Sequence, residues 1–218
     1  MLCLLASDFP SENPRTQTRN FSYTNPLCTT RMKHCQIITS TTFASQDIFE
    51  KILEETFNLT KVSIQLLIKN KFINESNSDL AIKINRYFQK GKVLPDQIII
   101  ELIKEKLPKI ENGILIQGYP RTKKQLNLLT ELLKKHGFEI DRLWILELQN
   151  LDKLISEYEN ENLTNQIIEK FKLTINQNRK IEKLIGNSKI TSKINFDYPI
   201  NWKTEKIKAE IMAMHNTG

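Results

Sequence analysis

Three histidines, three cysteines and one tight group of carboxylates are the residue types in this chain that most readily do chemistry. His34, His136 and His215 lie far apart in the 218 residues, and none stands at a useful spacing from a Ser, a Cys or a carboxylate pair. The pattern of nucleophilic catalysis is therefore missing. His136 directly precedes Gly137 at the end of a helical stretch, where a cation complements the helix dipole. Cys3, Cys28 and Cys35 all fall in the first 35 residues, outside the expected core. An odd, clustered set makes no disulfide framework, and no Cys/His spacing matches a zinc site. Glu157, Glu159 and Glu161, interleaved with Asn160 and Asn162, offer oxygen ligands for a cation, but a solvated loop accounts for them equally well and is the expectation. Glycine is the most restrictive residue: there are six, and none precedes Gly91. A glycine-rich loop that wraps phosphates with backbone N–H groups cannot be built near the N-terminus.

The elements that would position any site alternate along the chain. Gln36–Thr39, Gly113–Gln117 and Leu143–Leu148 are short apolar runs bounded by turn signals and read as buried strands, with Ile190–Phe196 as a further candidate. Helical stripes are expected over Asp47–Phe57, Val62–Phe72, Leu80–Gln89, Pro95–Leu107, Thr122–His136, Asn150–Tyr158, Leu163–Leu184 and Trp202–Met214. Strands spaced by helices predict a single α/β domain over 36–218, a parallel sheet flanked by helices on both faces. No apolar run approaches the roughly 18 residues of a membrane-spanning helix. The net charge of +7 is spread in pairs such as Lys104/Lys106, Lys123/Lys124 and Lys134/Lys135, often near Glu, which fits exposed ion-paired faces. Without interleaved aromatics, nucleic-acid binding is not expected.

Residues 1–35 differ from the rest. From Asn13 to Gln36 there is no acidic residue, while Arg15, Arg19, Arg31 and Lys33 are basic among Ser, Thr and Asn. This is the composition of a mitochondrial transit peptide, and Arg19-Asn20-Phe21-Ser22 is similar to an arginine-guided cleavage site. Asp8, Glu12 and Pro10 interrupt the pattern, so a basic tail on a cytoplasmic protein stands as the alternative.

Three blocks together resemble the adenylate kinase (nucleoside monophosphate kinase) family. Gly91-Lys92-Val93-Leu94-Pro95-Asp96 is similar to the family's G-x-L-V-P-D. Asn112-Gly113-Ile114-Leu115-Ile116-Gln117-Gly118-Tyr119-Pro120-Arg121-Thr122 is similar to N-G-F-I-L-D-G-[FY]-P-R-T, and Gln125 stands where the family keeps a glutamine. The resemblance implies a P-loop-NTPase-like sheet. It also implies that Lys69, Leu94, Arg121 and Gln125 form the half-site for the phosphate and base of a monophosphate such as AMP.

The departures fall on the other half. Matching Phe57-Asn58-Leu59 to the family's Y-G-F places Thr41–Ile48 (T-T-F-A-S-Q-D-I) on the phosphate loop. Its glycines are gone, Gln46 takes the lysine position, and Asp47 puts a carboxylate where a phosphate would sit, which repels rather than merely fails to attract. Phe43 in the same stretch would fill the emptied site or dock on a partner. The monophosphate-holding arginine becomes at best Lys69, a point charge instead of a bidentate fork. The acid linked to magnesium becomes Gln117, Asn150–Asn162 supplies no lid arginine, and the family's later R-x-R falls near Glu169 and Phe171. Among the arginines implied by the family, only Arg121 clearly survives. One such arginine contributes about 10³–10⁵ in rate where it acts as a finger. The expectation is a catalytically inactive adenylate-kinase-like protein with a reduced lid, no metal and no cofactor, serving as a subunit of a larger, plausibly mitochondrial, protein assembly. Non-catalytic AMP binding and a working monophosphate kinase are the alternatives. Arg121 has a second reading of its own: Gly118 and Pro120 shape a turn whatever is bound, and Arg121 then pairs with Asp96 or another carboxylate.

Overall fold

The computed structural model describes residues 32–40, 46–150, 153–154, 156, 165–185, 189–197 and 203–216. Strand β1 spans Lys33–Ser40, followed by α1 (Gln46–Phe57), β2 (Leu59–Ser63), α2 (Ile64–Asn74), α3 (Asp79–Gln89) and α4 (Asp96–Lys106), which ends in a 3₁₀ turn at Leu107–Lys109. Then come β3 (Gly113–Gln117), α5 (Lys123–Lys135), β4 (Phe138–Leu148), α6 (Asn165–Ile185), β5 (Thr191–Phe196) and α7 (Thr204–Asn216). The five strands are parallel in the order β2-β3-β1-β4-β5. The expected parallel sheet flanked by helices is therefore present, with β1 at its centre.

A parallel sheet covered on both faces needs strands that are apolar on both sides. Cys35, Ile37, Ile114, Ile116, Leu143 and Ile145 pack on one face with Ile103 of α4, Leu129 of α5 and Ile181 of α6. Ile38, Leu115, Trp144, Leu146, Ile194 and Phe196 pack on the other with Phe49 and Leu53 of α1 and Ile207 and Ile211 of α7. A smaller cluster of Leu80, Ile84, Leu94, Ile98 and Leu102 joins α3 to α4. Burying each large aliphatic side chain contributes about 1.5–3 kcal/mol. Inside the central strands, Trp144 Nε1 donates to Gln36 Oε1 at 2.8 Å.

Several sequence expectations change. Strand β1 starts at Lys33 and β4 at Phe138, both earlier than the apolar runs suggested. Cys35 is fully buried in the core rather than outside it. Val62 does not open a helix; it lies in β2, and α2 begins at Ile64. Leu59-Thr60-Lys61-Val62-Ser63 is an edge strand with a charge in the middle, a common protection against edge-to-edge pairing, and that charge hides the strand signal. Apart from Met32–Cys35, the leader expected over 1–35 lies outside the described residues, as do Phe43 and the Glu157–Asn162 segment. Most of the expected Asn150–Tyr158 helix is also outside them. Among the described residues, no helix is long and apolar enough to cross a membrane.

Candidate functional site

The C-terminal ends of β1 and β3 open into a cleft of about 320 Å³. In open parallel sheets this edge, beside the strand where the order reverses, is where ligands bind. Leu94, Arg121 and Gln125 line it from one side, Thr39 and Ser40 from the end of β1, Gln46 from the start of α1, and Gln177 and Asn178 from α6.

The turn after β3 is built by Gly118, whose φ of +83° suits glycine, and by a cis bond between Tyr119 and Pro120. Thr122 then caps α5 by accepting from the Gln125 backbone N–H at 3.2 Å. Thr-x-x-Gln is the sequence of a capping box, in which the third helical residue reaches back to the chain entering the helix. Here Gln125 Oε1 accepts from the Arg121 backbone N–H at 2.7 Å, while Gln125 Nε2 donates to Asp96 Oδ1 at 2.9 Å. The glutamine thus locks the turn to the start of α4 with both ends of its amide. Asp96 Oδ2 is also 3.3 Å from Lys124 Nζ.

Arg121 is exposed, and its Nε donates to Gly118 O at 3.3 Å. Its expected pairing with Asp96 is not present; Lys124 and Gln125 hold that carboxylate instead. Among the described residues Arg121 has no carboxylate partner, so its guanidinium remains available at the cleft. Burial, with the charge of Asp96 second, pushes the Tyr119 hydroxyl well above the ordinary phenol range, and that hydroxyl has no hydrogen-bond partner among the described residues.

The site residues expected from the sequence separate into groups. Leu94, Arg121 and Gln125 come together on the cleft. Lys69 does not: it is exposed on α2 and is not among the lining residues. Gln46 lines the cleft and is nearly buried, donating through Nε2 to Glu50 Oε1 at 2.8 Å. Glu50 in turn is buried and ion-paired with Lys61 of β2. Asp47 is exposed in the first turn of α1. Asn58, matched to a family glycine, adopts a φ of +51° just after α1, so it fills a position that demands left-handed backbone. The residues expected at a magnesium site do not fit one: Gln117 is a neutral amide, and the one carboxylate among the described lining residues, Asp96, is already held.

Sequence reasoning missed Thr39, Gln177 and Asn178. Asn178 is 5% exposed, its Oδ1 accepts from Thr39 Oγ1, and its Nδ2 has no partner among the described residues. It sits on the buried stripe of α6 between Phe171 and Ile181, and a lone amide in an apolar stripe was the available signal.

The sheet order and the cleft at its C-terminal edge define an α/β protein of the P-loop-NTPase type. A profile of the family described as adenylate kinase matches residues 48–165, more than half of the chain, and the chain belongs to that family. It is 33% identical over 97 residues to an adenylate kinase of Caldicellulosiruptor bescii, a stretch covering 44% of each protein. It is 32% identical over 91 residues to one from Thermococcus onnurineus, covering 42% of this chain and 40% of the relative. Against one from Clostridium botulinum it is 31% identical over 93 residues, 42% of each. The similarity thus spans less than half the length of these relatives.

Proposed function

We propose that this chain has lost phosphoryl transfer and acts as an interaction subunit of a larger, mitochondrial protein assembly. The observation that carries the reading is the start of α1. Where the family implies a lysine against the transferring phosphate stands Gln46, buried and bonded to Glu50, whose charge is already met by Lys61. Phosphoryl transfer is almost entirely positioning plus cationic stabilisation, and the first-turn carboxylate of Asp47 opposes it. The relatives are named as adenylate kinases, and a kinase assay decides against them or for them. Purified full-length protein supplied with Mg²⁺, ATP and AMP is expected to form no ADP above a protein-free blank. Robust ADP formation that scales with protein concentration would overturn the reading.

The subunit role rests on exposed apolar side chains of α2 and α3: Leu66 is 48% exposed, Ile73 66%, Ile82 41% and Phe88 48%. Leu66 and Ile73, seven residues apart, share one face of α2, and apolar groups gathered on one exposed face mark interaction surfaces. Native electrophoresis of gently solubilised cell fractions is expected to place the protein far above its own 25.5 kDa, in the mitochondrial fraction. A free monomer, or a purely cytoplasmic distribution, would remove this role. A second reading, AMP binding without turnover, is favoured by the exposed guanidinium of Arg121, which has no carboxylate partner among the described residues, and is tested by calorimetry with AMP.

A further inference from the structure

The cleft is unusual in what surrounds it. Among its described lining residues only Asp96 and Arg121 are charged, and Asp96 is already engaged. The remaining polar lining is dominated by six carboxamides: Gln46, Gln65, Gln117, Gln125, Gln177 and Asn178. Apolar surface from Ile64, Leu94 and Ile181 lies between them.

From this we infer that the β1 end of the cleft, around Thr39, Gln177 and Asn178, binds an uncharged heterocyclic ligand of the nucleoside class, so that the chain prefers a nucleoside to a nucleotide. This rests on the reading that phosphoryl transfer is lost. A carboxamide carries a donor and an acceptor side by side and reads the hydrogen-bonding edge of an uncharged ring, while apolar walls cover the ring faces. Phosphates need charge compensation to replace their water, and among its described residues this end of the cleft holds no cationic side chain. The volume of about 320 Å³ lies at the small end of ligand pockets and suits one nucleoside-sized molecule.

Asn178 supplies the independent observation. It is 5% exposed and lines the cleft, and one atom of its amide is bonded to Thr39 while the other has no partner among the described residues. Buried amide groups are normally bonded at both ends. Turning the amide over does not cure this, because the Thr39 hydroxyl satisfies only one end at a time. An acceptor on a ring seated in the cleft would complete the set.

The test is titration calorimetry on the full-length protein with adenosine, AMP and ATP, and with adenine and ribose separately. Adenosine is expected to bind at least as tightly as AMP, with ATP weaker by about tenfold or more, the cost of desolvating phosphates that find no partner. Asn178→Leu and Gln177→Ala are each expected to weaken adenosine about tenfold, as loss of a buried hydrogen bond does. Using both variants separates lost binding from a local folding fault at Asn178. Adenine or ribose alone matching adenosine would support the site and show which half of the ligand is read. AMP binding tenfold or more tighter than adenosine would place the affinity on Arg121 and overturn the inference, as would no binding by any of the uncharged probes at millimolar concentration. ADP formation from ATP and AMP in the same preparation would instead defeat the inactivity reading. Silence toward adenosine without turnover would leave that reading standing.

Discussion

The buried pair under the start of α1 should respond very differently to losing one partner or the other. Glu50 has a side chain only 2% exposed, whereas Lys61 is 25% exposed and can turn its ammonium into water. Lys61→Met leaves a carboxylate stranded in the interior. Removing one member of a buried pair costs about 3–5 kcal/mol. Because Gln46 Nε2 still donates to Glu50, the low end applies, about 3 kcal/mol. Glu50→Gln keeps the volume and lets the lysine resolvate, so the loss is that of one hydrogen-bonded contact, about 1 kcal/mol. For a domain of this size each kcal/mol moves Tm by about 2–4 °C, giving drops of about 6–12 °C for Lys61→Met and about 2–4 °C for Glu50→Gln. Thermal and urea unfolding of the full chain, followed by far-ultraviolet circular dichroism at pH 7, measures both. Equal losses, or a larger loss for Glu50→Gln, would refute the claim that an uncompensated Glu50 is what the structure cannot tolerate.

Three further outcomes follow from the same structure. Arg121→Ala is expected to leave unfolding free energy within about 0.5 kcal/mol, since its exposed side chain bonds only Gly118 among the described residues, while any AMP affinity falls about tenfold or more; a stability loss above about 1.5 kcal/mol would instead make it a turn-shaping residue. Trp144→Phe strands the buried Gln36 carbonyl and opens a void, costing about 2–4 kcal/mol in urea unfolding, part of which returns in the Gln36→Leu/Trp144→Phe double variant. Burial first, and then the Arg142 charge, holds His215 below its ordinary pKa of 6.5, so the unfolded chain takes up that proton more readily. Its contribution to stability is therefore complete above pH 6.5 and is lost as pH falls below it, and His215→Phe should flatten the stability profile between about pH 7 and 5.

The sequence by itself determined the α/β layering, because apolar runs and helical stripes record which faces are buried. It also determined the family, because Gly118-Tyr119-Pro120-Arg121-Thr122 is a local turn whose residue types are fixed by backbone conformation. The lack of any glycine before Gly91 was legible as well, because it is a fact of composition. Partnerships across the fold were not legible. Whether Arg121 or Lys124 meets Asp96, whether Lys69 reaches the cleft, and what Gln46 does once its neighbours are buried all depend on side chains brought together from distant elements. Edge strand β2 was hidden because Lys61 breaks its apolar run, and that lysine makes sense only beside Glu50. Asn178 offered only a faint mark, one amide in an apolar stripe. Tertiary packing alone decided that Thr39 satisfies just half of it and that a cleft lined by amides lies alongside, because hydrogen-bond satisfaction is a property of assembled neighbours and not of a chain.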